Sequence, residues 1–253
     1  AEDTFSDKVW PKTHPLAGQP IMLRDYQVEI VNNFLENPQC LQEVATGAGK
    51  TIMTASLSYS VEQYGRSIVI VPNKSLVTQT EADYINMGLD VGVFFGDRKD
   101  FGKTHTICTW QSLNVLLKNT KAGTGEFTIN DFLEDVVCVI VDEVHMAKAE
   151  VLKNLLTQNL CNAPIRWGLT GTVPKDDFEA QPIFASIGPV VGGITAHELQ
   201  EKGVLSNCHV NVVQMIDLPE FKSYAEENKY LVTNKDRMKY ISKLIKGISD
   251  SGN

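Results

Sequence analysis

The sequence predicts an α/β protein with a doubly wound parallel sheet and helices on both faces. Apolar runs of strand length alternate along its 253 residues with segments of helical spacing, which is typical of βαβ units. The run at 136–141 is apolar without interruption, as expected for a parallel strand covered on both faces. A glycine-rich turn at 45–51 joins a predicted strand to a predicted helix. These three observations carry the prediction of the fold class.

Apolar runs and helical spacing predict the order of the elements. Residues 1–20, rich in proline and glycine, are expected to be an extended lead-in, with ordered structure from residue 21. The predicted elements are a helix at 26–35, a strand at 40–44, a helix from the glycine-rich turn to Gly65, a strand at 68–71, a helix at 75–87, and strands at 90–95, 106–109, 136–141 and 165–169.

The C-terminal part has a looser pattern. Residues 119–128 are predicted to be a connecting loop, and regular structure loosens after Ser186. The predictions beyond that point are a helix at 197–202, a strand at 209–215 and an amphipathic helix at 234–248. A strand should follow such a helix in an alternating chain, so a second lobe is expected beyond residue 253.

Composition limits the class of protein. A hydrophobic content of 43% is enough for a large core, and a net charge of −8 argues against a simple nucleic-acid-binding module. The five cysteines contain no C-x-x-C pair, which predicts neither disulfides nor a zinc site, and Cys108 and Cys138 are expected in the core. The N-terminus does not resemble a signal peptide, and no apolar stretch reaches about 18 residues, so a cytoplasmic protein is expected.

The glycine-rich turn has the pattern of a phosphate-binding loop. In such loops the backbone N–H groups surround a polyphosphate, the lysine reaches the β- and γ-phosphates, and the threonine hydroxyl ligates Mg²⁺. Val44 stands where the pattern has glycine or alanine, and a chance turn before a helix is the simpler alternative. The predicted nucleotide ligands here are Thr46, Gly47, Ala48, Gly49, Lys50 and Thr51. ATP is therefore the expected ligand, with Mg²⁺.

Two carboxylates follow the apolar run at 136–141. Asp142 and Glu143 would lie at the carboxyl end of a buried strand, where ligands bind in open α/β sheets. Beside the phosphate loop, Asp142 would hold Mg²⁺ through water, and Glu143 would orient or deprotonate the attacking water. A solvated acidic turn is the alternative. His145 adjoins these acids and could be a metal ligand.

In chain order the motifs resemble the first RecA-like motor domain of superfamily 2 DExH helicases, from residue 21 onward. The resemblance implies a RecA-like sheet, a motor domain at 21–215, and a linker and helix at 216–253 that lead to a second RecA-like domain. It makes the Gly-Lys-Thr loop motif I and 142–145 the DExH motif. The implied catalytic residues are Lys50, Asp142, Glu143 and His145, of which His145 would be coupled to motif III. It also makes 23–27 an adenine-reading element, in which Gln27 beside Arg24 presents its amide to adenine. Without it, Gln27 is more simply a solvated residue on a helix.

Three further motifs complete the resemblance. Segment 71–76 is similar to motif Ia and segment 109–113 to motif Ib, which the family uses against the nucleic-acid backbone. The implied nucleic-acid contacts are Pro72, Asn73, Lys74, Thr109, Trp110, Gln111 and Ser112. Segment 168–172 is similar to motif III, whose coupling residues would be Thr170, Gly171 and Thr172. Plainer alternatives are helix capping at Lys74, core packing of Trp110 and ordinary strand-end hydroxyls.

The subtype resembles DNA translocases of the phage UvsW type and XPB-like motors, because segments 188–191 and 198–205 resemble theirs. That implies an ATP-dependent helicase or translocase acting on duplex, forked or branched DNA in replication, recombination or repair, in the host cytoplasm if phage-encoded. The resemblance places the arginine finger on the second lobe, so this chain alone is expected to hydrolyse ATP weakly. Translocation without strand separation and a nucleotide-switched binding module remain alternatives.

Overall fold

Helices and strands alternate along the part of the chain that the computed structural model describes, which is residue 5 and residues 8–146, 154–160, 162–207, 210, 212–216 and 219–251. The strands are β1 (Gln39–Val44), β2 (Arg66–Val71), β3 (Val91–Phe95), β4 (Arg98–Lys99), β5 (His105–Thr109), β6 (Val136–Asp142), β7 (Ile165–Thr170) and β8 (Val190–Ile194). The helices are α1 (Asp25–Glu36), α2 (Lys50–Val61), α3 (Lys74–Asn86), α4 (Trp110–Ala122), α5 (Ile129–Phe132), α6 (Asp177–Ser186), α7 (Ala196–Glu201), α8 (Tyr224–Thr233) and α9 (Lys235–Asp250).

Within the described residues the strands form one sheet in the order β4-β3-β5-β2-β6-β7-β1-β8. Every neighbouring pair is parallel except β3 and β4, which form an antiparallel hairpin at one edge. The carboxyl ends of the parallel strands therefore meet at one edge of the sheet, where α/β proteins bind their ligands. The loops after β1, β2, β5, β6 and β7 all begin at this edge.

The sheet is covered on both faces, as the apolar strands predict. Along β6, Cys138 and Ile140 pack in one hydrophobic cluster, whereas Val139 and Val141 pack in another. This alternation follows from the two-residue period of a strand. The first cluster contains the apolar faces of α1, α2 and α3, and the second contains those of α4 and α5 together with residues of α6. The doubly wound parallel sheet is thus confirmed.

Polar residues define where several helices begin. The side chain of Asn73 accepts a hydrogen bond from the Leu76 N–H at the start of α3, and Thr109 accepts one from the Ser112 N–H at the start of α4. Such caps satisfy N–H groups that have no partner inside the helix. They also fix the direction in which each helix leaves the carboxyl edge of the sheet.

The N-terminal lead-in differs from the extended segment that the sequence predicted. Val9 and Pro20 form an antiparallel bridge, and turns occupy the residues between them. Phe5 is 1% exposed, and its ring lies 5.7 Å from that of Tyr59. The prolines and Gly18 therefore form turns that fold the segment back on itself, and burial of Phe5 attaches it to α2.

The strand predicted at 209–215 is wrong for the residues that the structure describes there. Residues 210 and 212–216 form no strand, and Val212 is 87% exposed, whereas residues 209 and 211 lie outside the described part of the chain. A strand that was not predicted, β8, pairs with β1 at the edge of the sheet. Gly193 is required there, because a Cβ at this position would lie 2.0 Å from the carbonyl oxygen of Glu43. A glycine pair that indicated a loop in the sequence is therefore part of a strand.

The ends of two helices differ from the predicted boundaries. Helix α2 ends at Val61 rather than Gly65, and α4 extends to Ala122, into the predicted loop at 119–128. Gly123, with φ +66°, ends α4 in the left-handed conformation typical of a helix C-cap. The first compact unit ends at Asn207, earlier than the predicted domain boundary at 215, since the strand predicted there is absent from the described residues.

The second unit, Cys208–Asn253, contains α8 and α9, none of whose described residues is buried. Helix α9 agrees with the predicted helix at 234–248 and begins at an Asn234 cap. Among the described residues, no helix is long and apolar enough to cross a membrane. In the first unit, Cys108 and Cys138 are fully buried core residues, and burial raises the pKa of both thiols.

Candidate functional site

The phosphate loop lies between the carboxyl end of β1 and the first residue of α2, which is Lys50. Gly47 and Gly49 adopt φ values of +87° and +82°, in the left-handed region that favours glycine. A Cβ at Gly49 would lie 2.6 Å from Nε2 of Gln27, so this glycine also permits close contact with α1. The loop therefore directs the N-terminus of α2 toward the carboxyl edge, where its dipole favours an anion.

The acidic strand end faces the lysine of the loop. Nζ of Lys50 lies 3.9 Å from Oδ1 of Asp142 and forms a shorter ion pair with Oε1 of Glu143. Glu143 has φ +50°, a left-handed conformation that is uncommon for a residue with a side chain. The sharp turn after β6 directs its carboxylate back toward Lys50. The segments that follow β1 and β6, two strands that are not neighbours in the sheet, thus meet in one crevice.

Asp142 has an unusual electrostatic environment. Burial raises the pKa of its carboxyl from 3.8 to about 6, although the nearby charge of Lys50 acts in the opposite direction. The backbone N–H of Glu143 donates to Oδ1 of Asp142 at 2.9 Å. A partly buried carboxyl of this kind is stabilised in its ionised form by a cation.

The end of β7 joins this crevice through hydrogen bonds. The Gly171 N–H donates to Oε2 of Glu143 at 3.3 Å, and Nδ1 of His145 lies 2.6 Å from the hydroxyl of Thr170. That hydroxyl donates to the carbonyl of Thr172 at 2.8 Å, so His145 carries the hydrogen in its contact with Thr170. The DExH residues and the predicted motif III therefore form one hydrogen-bonded network.

Helix α1 supports the phosphate loop from the other side. The Tyr26 hydroxyl and the Gln27 amide each donate to the carbonyl of Ala48 at 2.9 Å. Oε1 of Gln27 accepts a hydrogen bond from the Arg24 N–H at 2.9 Å. The Gln27 side chain is buried, so the alternative of a solvated residue on a helix is wrong. Arg24 is exposed at the start of the helix. Adenine recognition by Gln27 and Arg24 stays a prediction.

The residues present fit a magnesium ion. Thr51 is half-buried in the first turn of α2, next to Lys50 in the chain. The carboxylate of Asp142 lies beside the same turn, because its Oδ1 is 3.9 Å from Nζ of Lys50. Hydroxyl and carboxylate oxygens suit Mg²⁺, which commonly takes one or two protein ligands and completes its shell with phosphate oxygens and water. Among the described residues, no group of three or more histidine, cysteine, aspartate or glutamate side chains could hold a metal alone.

An aromatic pair beside the loop was not predicted from the sequence. The rings of Trp10 and His14 stack with centroids 4.0 Å apart. Together with Gly49 and Thr51 they line a cavity of about 310 Å³. The proline and glycine content of the lead-in predicted only an extended segment, so side chains beside the loop were not expected from it. A tryptophan within a short segment of turn-forming residues was the available signal.

The predicted nucleic-acid residues divide into three groups. Lys74, Gln111 and Ser112 line one cavity of about 360 Å³, although they follow different strands. Asn73 and Thr109 cap α3 and α4, and Pro72 is half-buried directly after β2. Trp110 differs, because it is 6% exposed and packs in the core below α4, which supports the core-packing alternative. Its ring is not available for base stacking.

The fold and the site define a P-loop nucleotide-binding domain with RecA-like architecture. Residues 20–175 match the family model described as "Type III restriction enzyme, res subunit", which is more than half of the chain. The chain therefore belongs to this family, as the first RecA-like domain of a superfamily 2 helicase. Membership implies that the chain uses a nucleotide.

Relatives from phage, archaea and bacteria are similar along most of the chain. It is 25% identical over 236 residues to the ATP-dependent DNA helicase uvsW of Enterobacteria phage T4, covering 87% of this chain and 44% of that protein. It is 32% identical over 191 residues to the DNA 3'-5' translocase XPB2 of Sulfurisphaera tokodaii, covering 74% and 39%. The chain thus spans less than half of either relative.

Solved structures agree on the fold. The crystal structure of the UvsW helicase from bacteriophage T4 superposes with a TM-score of 0.57 and 21% identity, covering 69% of this chain and 61% of that one. The Pyrococcus furiosus Hef helicase domain superposes with a TM-score of 0.55 and 19% identity, covering 71% and 40%. At these identities the likeness concerns architecture.

Proposed function

We propose that this chain binds and hydrolyses Mg²⁺–ATP as the first motor lobe of a DNA helicase or translocase that remodels duplex or branched DNA. The observation that carries the proposal is the single crevice in which Lys50, Asp142 and Glu143 meet and which is hydrogen-bonded to the end of β7. Relatives named as DNA helicases and translocases support the choice of DNA.

Each residue of the crevice has a role that follows from its position. The N–H groups of residues 46–51 would bind the phosphates, and Lys50 would leave Glu143 to neutralise the γ-phosphate. Thr51 and Asp142 would hold the magnesium ion, directly and through water respectively. The ion would supply positive charge that offsets the negative charge of the phosphates.

Hydrolysis requires a positioned water molecule. Glu143, once released from Lys50, would accept a hydrogen bond from this water and orient it in line with the γ-phosphorus. A bond forms between the water oxygen and phosphorus, the bond to the β-phosphate oxygen breaks, and ADP leaves with that electron pair. The proton of the water passes to Glu143 or a phosphate oxygen, which yields inorganic phosphate.

The same event would change the network that reaches β7. Glu143 accepts from the Gly171 N–H and lies 3.5 Å from Nδ1 of His145, which contacts Thr170. Movement of Glu143 between Lys50 and the attacking water would therefore alter the contacts of residues 170–172. This supports their proposed role in coupling hydrolysis to movement.

A second lobe would complete the active site. Three of the four described arginines of the first unit are engaged elsewhere: Arg66 with carbonyl oxygens at the amino edge of the sheet, Arg98 with Glu81 and Arg166 with Leu156. The fourth, Arg24, is exposed at the start of α1 and is the arginine predicted to lie beside the adenine. An arginine finger accelerates hydrolysis about 10³- to 10⁵-fold. We therefore propose that residues 216–253 lead toward a second RecA-like lobe that supplies this group, and that the chain alone turns over slowly.

The test uses ATP binding and hydrolysis with DNA present. Lys50→Ala should abolish nucleotide binding, and Glu143→Gln should bind ATP at least as tightly as wild type, because Lys50 loses its charged partner. Glu143→Gln should also reduce turnover by about 10²- to 10⁴-fold. Glu81→Gln is the matched control, since it breaks a remote ion pair with Arg98. Turnover within a few-fold of wild type in Glu143→Gln would contradict the mechanism.

Translocation without strand separation is the second candidate, supported by a relative named as a translocase. Displacement of a third strand from a triplex without separation of a duplex would favour it. A nucleotide-switched binding module is distinguished by Glu143→Gln. A switch keeps its nucleotide-dependent change in partner affinity in this variant, whereas a motor binds ATP and stalls.

A further inference from the structure

A cavity outside the nucleotide crevice combines features of a binding site. It has a volume of about 360 Å³ and lies between α4, the β3–β4 hairpin and the segment after α4. Volumes of about 300–1,000 Å³ are typical of small-molecule sites. Its lining contains residues that no motif includes, among them Lys99, Val115, Asn119 and Phe127. The cavity is therefore not lined by the motif residues alone.

One wall of the cavity is a fixed aromatic ring. Phe127 is half-buried, and its ring lies 4.6 Å from that of Phe101 and 5.8 Å from that of Phe94. These contacts hold the ring in place without covering it completely. Nζ of Lys99 lies 5.8 Å from the centre of the Phe127 ring, so a cation stands close to the aromatic surface.

The remaining lining combines apolar side chains, such as Val115 and Leu116, with polar ones, and cations outnumber anions among its charged groups. Lys74 and Lys99 line the cavity against one carboxylate, Glu126, in a chain whose net charge is −8. Gln111 and Asn119 are exposed on α4 and carry amide groups, which can donate to and accept from the edge of a base. An aromatic face, amide groups and two cations correspond to the flat ring, polar edge and phosphate of one nucleotide.

We infer that this cavity receives one unstacked base of the DNA strand that passes over the starts of α3 and α4. The inference rests on the proposed function, because Lys74 and Gln111 belong to the predicted DNA contacts. Phe127 stacks on the base, Asn119 and Gln111 bind its edge, and Lys99 lies near its phosphate. The site would make the lobe sensitive to unpaired bases, such as those at a fork.

The test compares two DNA strands that carry the same phosphates. One is a thymidine strand, and the other contains abasic sugars in place of the nucleosides. Stacking of a single base predicts that the chain binds the thymidine strand about 5- to 100-fold more tightly, by fluorescence anisotropy at fixed salt. Equal affinity of wild type for the two strands would overturn the inference.

Variants locate the effect in the cavity. Phe127→Leu, which keeps apolar packing, and Asn119→Ala, at an exposed position, should each reduce the preference for the thymidine strand. Asn114→Ala on the same helix and Phe178→Leu, at a position that is 91% exposed, should leave it unchanged, since neither lines the cavity. An undiminished preference in both cavity variants refutes the proposed location.

Failure of the inference and failure of the proposed function give different results. If the two strands bind equally and both stimulate ATP hydrolysis, the base site is wrong and the DNA motor stands. If neither strand binds but duplex or forked DNA stimulates hydrolysis, the base site is wrong and the DNA motor again stands. If duplex and forked DNA also fail to bind and to stimulate hydrolysis, the DNA partner itself is wrong. Thermal unfolding of Phe127→Leu checks its fold, and Asn119→Ala keeps the test decisive if Phe127→Leu is unstable.

Discussion

The ionised carboxylate of Asp142 should lower the free energy of unfolding of the nucleotide-free chain. Burial raises the pKa of this carboxyl from 3.8 to about 6, and Lys50 compensates only in part. At neutral pH the folded chain therefore holds an ionised carboxylate that water would solvate better after unfolding. We expect Asp142→Asn to increase the free energy of unfolding at about pH 7.5 while weakening magnesium and ATP binding.

The pKa gives the magnitude. The difference between 3.8 and about 6 corresponds to about 3 kcal/mol at roughly 1.36 kcal/mol per pH unit. A gain of about 1–3 kcal/mol is expected, because the new amide also needs hydrogen-bond partners. The sign follows from the raised pKa. The stability that the folded chain gains from the protonated carboxyl is fully present below about pH 3.8, and it is lost as the pH rises through about 6.

Urea denaturation measures this effect in the absence of nucleotide and magnesium. The advantage of Asp142→Asn over wild type should be largest at about pH 7.5 and should shrink by about pH 4.5. Asp90→Asn is a control of opposite sign, because hydrogen bonds from Thr104 lower the pKa of Asp90. A variant that is no more stable than wild type at about pH 7.5 would refute the reasoning.

Three further variants address coupling, base recognition and stability. Thr170→Val removes the hydroxyl that contacts His145, and we expect strand displacement per ATP hydrolysed to fall about 10-fold. Gln27→Ala should reduce the preference for ATP over GTP in competition binding, if its amide reads adenine. Arg66→Leu should lower the urea-unfolding free energy by at least about 2 kcal/mol, because Arg66 donates to several carbonyl oxygens, including those of Lys103 and Glu134.

For each of these variants, one outcome would contradict the prediction. Unchanged displacement per ATP in Thr170→Val would separate residues 170–172 from movement. An equal loss of ATP and GTP affinity in Gln27→Ala would mean that Gln27 only supports the loop through Ala48. Arg66→Leu as stable as wild type would show that the carbonyl groups find other partners, and Arg98→Leu, at an exposed ion pair, is its control.

Local sequence was sufficient for most of the sheet. The predicted strands at 68–71 and 136–141 lie within β2 and β6, because unbroken apolar runs rich in valine and isoleucine are typical of parallel strands covered on both faces. The phosphate loop could also be predicted from local sequence, since its conformation requires positive φ at Gly47 and Gly49, which glycine adopts without strain. Glycine and proline were less reliable, because the same residues form turns at 9–20 and a strand at 190–194.

By itself, the sequence determined the order of the elements and the chemical groups at the carboxyl ends of the strands. Tertiary structure alone decided which of them meet. It placed Glu143 against Lys50, buried Trp110, and brought Lys99 and Phe127 beside a predicted DNA contact. The reason is physical: composition and spacing act over a few residues, whereas strand order and burial depend on contacts between distant segments that no local pattern records.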